Sequence, residues 1–168
     1  MGSPKVEFKT TKGTFVLELD ADKAPKTVEN FLKYVKEAFY AGTVFHRVIK
    51  GFMIQGGGMT PDLNRKETHP PIPNEADNGL KNLRGTVAMA RTNDPNSATS
   101  QFFINTVDNA FLDHKSKDMR GWGYCVFGKV VKGMDVVDKI EAAQTTTQKG
   151  LRDVPAEAIT IRSAGIVK

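Results

Sequence analysis

One arginine set among apolar residues opens the chemical reading of this chain. Arg47 stands in the middle of the stretch Phe45 to Gly57, FHRVIKGFMIQGG, where a β-favouring run passes through Gly51 into a second apolar run that ends at Gln55. Strand alternation places Phe45, Arg47 and Ile49 on one face and His46, Val48 and Lys50 on the other. A five-donor guanidinium beside apolar side chains is suited to gripping a polarised group next to an apolar ligand. Gln55 shares parity with Met53 and can bond a ligand's backbone or orient Arg47. Gln101 and Phe103 share parity on another strand, which offers one polar partner and one apolar wall.

Other chemistries lack their residues. Gly56-Gly57-Gly58 has neither the Lys-Ser/Thr of a phosphate loop nor a dinucleotide fingerprint. No serine sits in a nucleophile-elbow pattern. His46, His69 and His114 are scattered, and the single cysteine, Cys125, has no CxxC partner, so no metal is expected. Cys125 alternates with Tyr124 and Val126 and reads as a small buried hydrophobe.

The elements that must hold these residues are mostly strands. Residues 5–10 and 14–20 flank Lys12-Gly13 as a hairpin. Pro25 suits a first helical position, and Val28, Phe31, Leu32 and Val35 follow at helical spacing. A second helix over 134–142 buries Met134, Val137 and Ile140, and 158–167 reads as a closing strand. Many strands with two helices favour a closed or nearly closed β structure, which removes exposed edges.

Composition bounds the function. At 168 residues, 39% hydrophobic and 26% charged, the chain has the size and make-up of one soluble domain. Its net charge of +5 comes from interleaved acids and bases without interleaved aromatics, which argues against a nucleic-acid partner. No apolar run is long enough to span a bilayer, so no membrane partner is expected. A lone cysteine fits a reducing, cytoplasmic setting. Met1-Gly2-Ser3-Pro4 reads as a cloning remnant, leaving 5–168 as the domain.

Several separated motifs occur together: FHRVIKGFMIQGG, then RGTVAMAR (84–91), SATSQFFI (97–104), AFLD (110–113) and YCVFGKVVKGMDVVDKI (124–140). In this order they resemble the cyclophilins, the peptidyl-prolyl cis-trans isomerases, over nearly the whole chain. The loop 113–123 and the Pro- and Asn-bearing stretch 59–83 are similar to the bacterial cytosolic type. The resemblance implies a mainly β fold, a closed eight-stranded antiparallel barrel capped by two helices, with the binding groove on its outer wall.

It also implies a site. Arg47 and Gln55 would be catalytic. Phe52, Met53, Phe103, Leu112 and Tyr124 would surround a proline ring, with Phe111 beside them, although strict alternation turns Phe52 away from the pocket. Ala90, Arg91, Thr92 and Gln101 would lie along the substrate backbone, Arg91 through its main chain only. Partners would be proline-containing peptides and unfolded or folding proteins, met by a monomer without a cofactor. Drug-sensitive members carry tryptophan where this chain has Phe111, which implies weak cyclosporin binding. A proline-peptide binding module is the rival from another class. It needs the apolar pocket but not the Arg47–Gln55 pair.

Overall fold

The computed structural model describes residues 3–167. The first two residues of the supposed remnant therefore lie outside the described residues. β1 (Lys5–Thr10) and β2 (Gly13–Leu19) form the expected hairpin, with Phe8 opposite Phe15 and their rings stacked at 5.2 Å. Helix α1 (Pro25–Lys36) starts on its proline and buries Val28, Phe31, Tyr34 and Val35. β3 (Arg47–Ile49) and β4 (Met53–Gly56) make a second hairpin across Gly51. β5 (Thr86–Met89), β6 (Phe102–Asn105) and β7 (Val126–Lys132) follow. Helix α2 (Met134–Glu141) then buries Val136, Val137 and Ile140, with Met134 only partly covered.

β8 (Thr145–Gln148) and β9 (Leu151–Pro155) pair only with each other, and β10 (Ile161–Val167) ends the fold. Eight strands form one antiparallel sheet in the order β10, β1, β2, β7, β5, β6, β4, β3.

This sheet curls without fully closing. Its edge strands β10 and β3 share no ladder, which corrects the expectation of a closed barrel. The chain just before β3 bridges the gap instead. Val44 pairs with Thr160, the Phe45 N–H donates to the Ile159 carbonyl at 3.0 Å, and the Ile161 N–H donates to the Thr43 carbonyl at 2.8 Å. The physical reason is register, because residues 159–161 meet the chain at 43–45, upstream of β3, and β3 itself never comes opposite β10.

Period-two alternation sorts the side chains into two separate cores. Ile54, Val87, Phe102, Ile104 and Phe127 point inward and join Phe8, Phe15, Phe31 and Tyr40 in the filled interior. Burial of each such aliphatic or phenylalanine side chain is worth roughly 1.5–3 kcal/mol. Their alternates on the same strands, Met53, Ala88, Phe103 and Val126, point outward and form a second cluster on the outer wall.

Candidate active site

The outer cluster floors a shallow hollow of about 280 Å³. Ten of the twelve residues singled out in the sequence line it. Met53 and Phe103 reach it as outward alternates of β4 and β6. Phe52 reaches it from the turn before β4, where strand parity no longer applies. Its carbonyl is pinned there by the Thr106 N–H at 3.1 Å and by the Asn109 side-chain amide at 3.0 Å. Asn109 in turn bonds Asn105, and Asn105 bonds Asn82, a buried amide chain that fixes the turn carrying Phe111 and Leu112. Phe111 is 64% exposed and stacks on Phe52 at 5.6 Å.

The opposite wall is Tyr124, edge-on to Phe103 at 5.7 Å. Arg91 backs it. The Arg91 guanidinium lies 4.4 Å above the Tyr124 ring and donates to the Gly123 carbonyl at 2.8 and 3.2 Å. Gly123 has φ +74°, and a Cβ there would strike the backbone of Asp113 and His114, so the wall depends on glycine at this turn. Arg91 thus has a structural use for its side chain that its position in the motif did not announce.

Arg47 rises over the rim, exposed, directly across from Gln55 in the β3–β4 pairing. Arg47 donates to Gln55 Oε1 at 3.4 Å, and Gln55 Nε2 donates to Gln101 Oε1 at 3.0 Å. The three side chains form one relay along the edge of the apolar floor. Gln101 holds the far end through its backbone as well, accepting from the Ala90 N–H at 3.0 Å. Gly58 makes room for this, since a Cβ there would collide with the Gln101 side chain.

Thr92 and Gln101, the two residues absent from the hollow, line an adjoining cleft that shares Arg47, Gln55, Ala90 and Arg91 with it.

Two placements differ from strand parity. Phe45 is buried in the interior core rather than beside Arg47, and His46 lines the cleft on the arginine's side rather than the opposite face. Residues 45 and 46 precede β3 and follow the seam, so alternation starts only at Arg47. His46 is 7% exposed, and its buried Nδ1 has no hydrogen-bond partner. Burial first, then the charges of Arg47 and Arg65, lowers its pKa to about 4. Its imidazole is neutral through the physiological range.

Cys125 is buried behind the wall, 3.5 Å from the Thr27 hydroxyl, with burial pushing its thiol up to about 11. It has the character of packing, not of a nucleophile.

The sequence reading missed Leu151, Arg152 and Asp153 of β9, and Arg65, all of which line the cleft. The signal for β9 was the β-branched run Thr145–Thr147 before Lys149-Gly150, a turn pair in which both residues have positive φ.

Comparisons with known proteins bear on the family and the fold. The sequence model of the family described as cyclophilin type peptidyl-prolyl cis-trans isomerase/CLD matches residues 5–166. A peptidyl-prolyl cis-trans isomerase of Streptomyces antibioticus is 60% identical over 162 residues, covering 96% of this chain and 98% of that protein. Peptidyl-prolyl cis-trans isomerase B of Escherichia coli is 56% identical over 161 residues, covering 96% and 98%. A crystal structure of a cyclophilin type isomerase from Cryptosporidium parvum, 29% identical, superposes with a TM-score of 0.84 over 99% of this chain and 98% of that one. The same protein in the presence of the dipeptide Ala-Pro gives 0.83, covering 98% and 99%.

Proposed function

The chain belongs to the cyclophilin-type peptidyl-prolyl cis-trans isomerases, and from that premise we propose how its own residues turn an X–Pro bond. Rotation about an amide meets a barrier of about 18–20 kcal/mol because partial double-bond character must be lost. An X–Pro bond exchanges in tens to hundreds of seconds although its two end states differ by only about 0.5–1 kcal/mol. A catalyst must therefore bind the twisted amide better than either planar form. A 10⁵-fold acceleration requires about 7 kcal/mol of that preference.

In the twisted amide the prolyl nitrogen regains its lone pair. The proline ring seats on Met53, Phe103 and Leu112 between the Phe52 and Tyr124 walls, and Arg47 donates to the nitrogen or the neighbouring carbonyl. Gln55 holds the guanidinium over the ring, and Gln101 holds Gln55. The backbone at Ala90–Thr92 lines the substrate chain. No proton is transferred and no covalent intermediate forms.

The observation that carries this reading is the Arg47–Gln55–Gln101 relay at the rim of an apolar floor. A pure proline binder needs the floor but not the relay.

The reading extends to exposed X–Pro segments of unfolded and folding proteins as clients, in a cytoplasmic setting. It takes 5–168 as one isomerase domain acting as a monomer without cofactor or nucleic acid. No helix of the described residues is long and apolar enough to cross a membrane.

A protease-coupled isomerisation assay on an X–Pro tetrapeptide tests the mechanism. Arg47 is exposed, so Arg47→Ala leaves the core intact. Loss of one preorganised charged donor lowers kcat/KM by about 10²–10³. Near-normal turnover by the folded variant refutes the assignment.

A further inference from the structure

The cleft beside the proline hollow is the larger of the two, about 710 Å³ against 280 Å³. Its charge is lopsided. Arg47, Arg65, Arg91 and Arg152 line it, and Asp153 is the single carboxylate among its lining residues. None of the four arginines has a carboxylate within ion-pair distance among the described residues. Arg47 donates to a glutamine and Arg91 to backbone carbonyls. Arg65 and Arg152 have no side-chain hydrogen bond among the described residues, and both are exposed.

The two unpaired arginines arrive on ordered backbone from elements far apart in sequence. Arg65 bridges Met59, and the next residue's N–H donates to the Gly58 carbonyl at 3.0 Å. Arg152 sits on β9, whose ladder with β8 holds it against β3. His46 lies in the same wall, buried with an unpartnered Nδ1, and responds to the field there, since Arg47 and Arg65 reinforce the effect of burial in keeping it neutral.

Four like charges around one open cleft repel one another, and an anion placed among them relieves that repulsion. The cleft shares Arg47, Gln55, Ala90 and Arg91 with the hollow, so it is open to one flank of a peptide whose proline fills the hollow.

Resting on the isomerase reading above, we propose that this cleft takes the carboxylate side chain of an aspartate or glutamate flanking the substrate proline, with Arg65 and Arg152 as specificity-determining residues. The enzyme thereby selects acidic X–Pro segments over basic ones. Exposed charge pairs are individually weak, each worth at most a few-fold in binding, so the combined preference is about tenfold. It is lost as salt shortens the Debye length to about 3 Å near 1 M.

The test uses three hexapeptides that differ only in carrying Glu, Gln or Lys beside the same Ala-Pro pair. At low ionic strength kcat/KM for the Glu peptide exceeds that for the Lys peptide about tenfold, and the ratio approaches one near 1 M salt. Arg65→Gln with Arg152→Gln reduces the low-salt ratio to about twofold and leaves Gln-peptide turnover unchanged. By NMR, the Glu peptide raises the His46 titration midpoint and the Gln peptide does not.

Equal turnover of Glu and Lys peptides at low salt overturns the proposal, as does a preference that survives in the double variant. Failure to turn over the Gln peptide overturns the isomerase reading itself, and this proposal with it.

Discussion

His46 makes a quantitative test, because its burial couples one imidazole to the whole fold. Its pKa is about 4 in the folded protein against an ordinary value of 6.5 for a free imidazole. Between those values the unfolded chain takes up a proton that the folded chain refuses, so stability rises with pH. The contribution is fully present above pH 6.5 and is lost as the pH falls towards 4. The whole shift corresponds to about 3 kcal/mol, of which about 2 kcal/mol disappears between pH 7 and pH 5.

The perturbation is His46→Gln, compared with the parent by urea unfolding followed through Trp122 fluorescence at steps from pH 7 to pH 5. The variant can be less stable at every pH. What counts is that the parent's loss between pH 7 and pH 5 exceeds the variant's by about 2 kcal/mol. From about pH 6 to pH 9, kcat/KM stays nearly flat, since the slow step moves no proton. Parallel stability curves for the two proteins refute the buried neutral imidazole. A step in kcat/KM near pH 6.5 that vanishes in His46→Gln refutes the proton-free mechanism.

Two further outcomes follow from the site's packing. Gly58→Ala forces the Gln101 side chain to move and breaks the Gln55–Gln101 bond, so kcat/KM falls about tenfold while far-UV circular dichroism is unchanged; an unaltered rate removes Gln101 from the relay. Cyclosporin binds weakly, because exposed Phe111 offers no N–H, and Phe111→Trp tightens it by about two- to tenfold in titration calorimetry; equal affinities count against a role for this position.

Much of this architecture was legible wherever side chains alternate or repeat regularly. The β1–β2 hairpin, α1 beginning at Pro25, and α2 after Gly133 all declare themselves by period and capping. So does the split of β4 and β6 into an inward and an outward face. The errors fall where the chain leaves a regular element. Strand parity fails for Phe45 and His46 because they lie at the seam, where the backbone is not yet a strand. Only resemblance points Phe52 to the pocket, because its placement comes from a turn held by Asn109, far away in sequence. The β8–β9 hairpin was invisible to a search for apolar alternation because Thr145, Thr146 and Thr147 are all exposed. The cleft's charge is not legible in the sequence, since Arg65 and Arg152 lie 87 positions apart and come to line one cleft only through the fold.

The seam that joins the two edges of the curled sheet has a consequence for when activity can arise. Residues 43–45 are held by residues 159–161, and Arg47 follows them after a single intervening position. The β3–β4 hairpin places the arginine locally, but anchoring of that hairpin's leading end waits on a contact between distant parts of the chain, among the slowest kinds to form. During synthesis from the N-terminus, β1 to β7 can emerge with the floor of the hollow complete while its arginine is held by the β3–β4 hairpin alone, without the seam. The nascent chain can thus carry the apolar floor of the hollow before the seam is closed, and a ribosome-bound chain truncated before Ile159 would separate any grip on proline peptides from turnover.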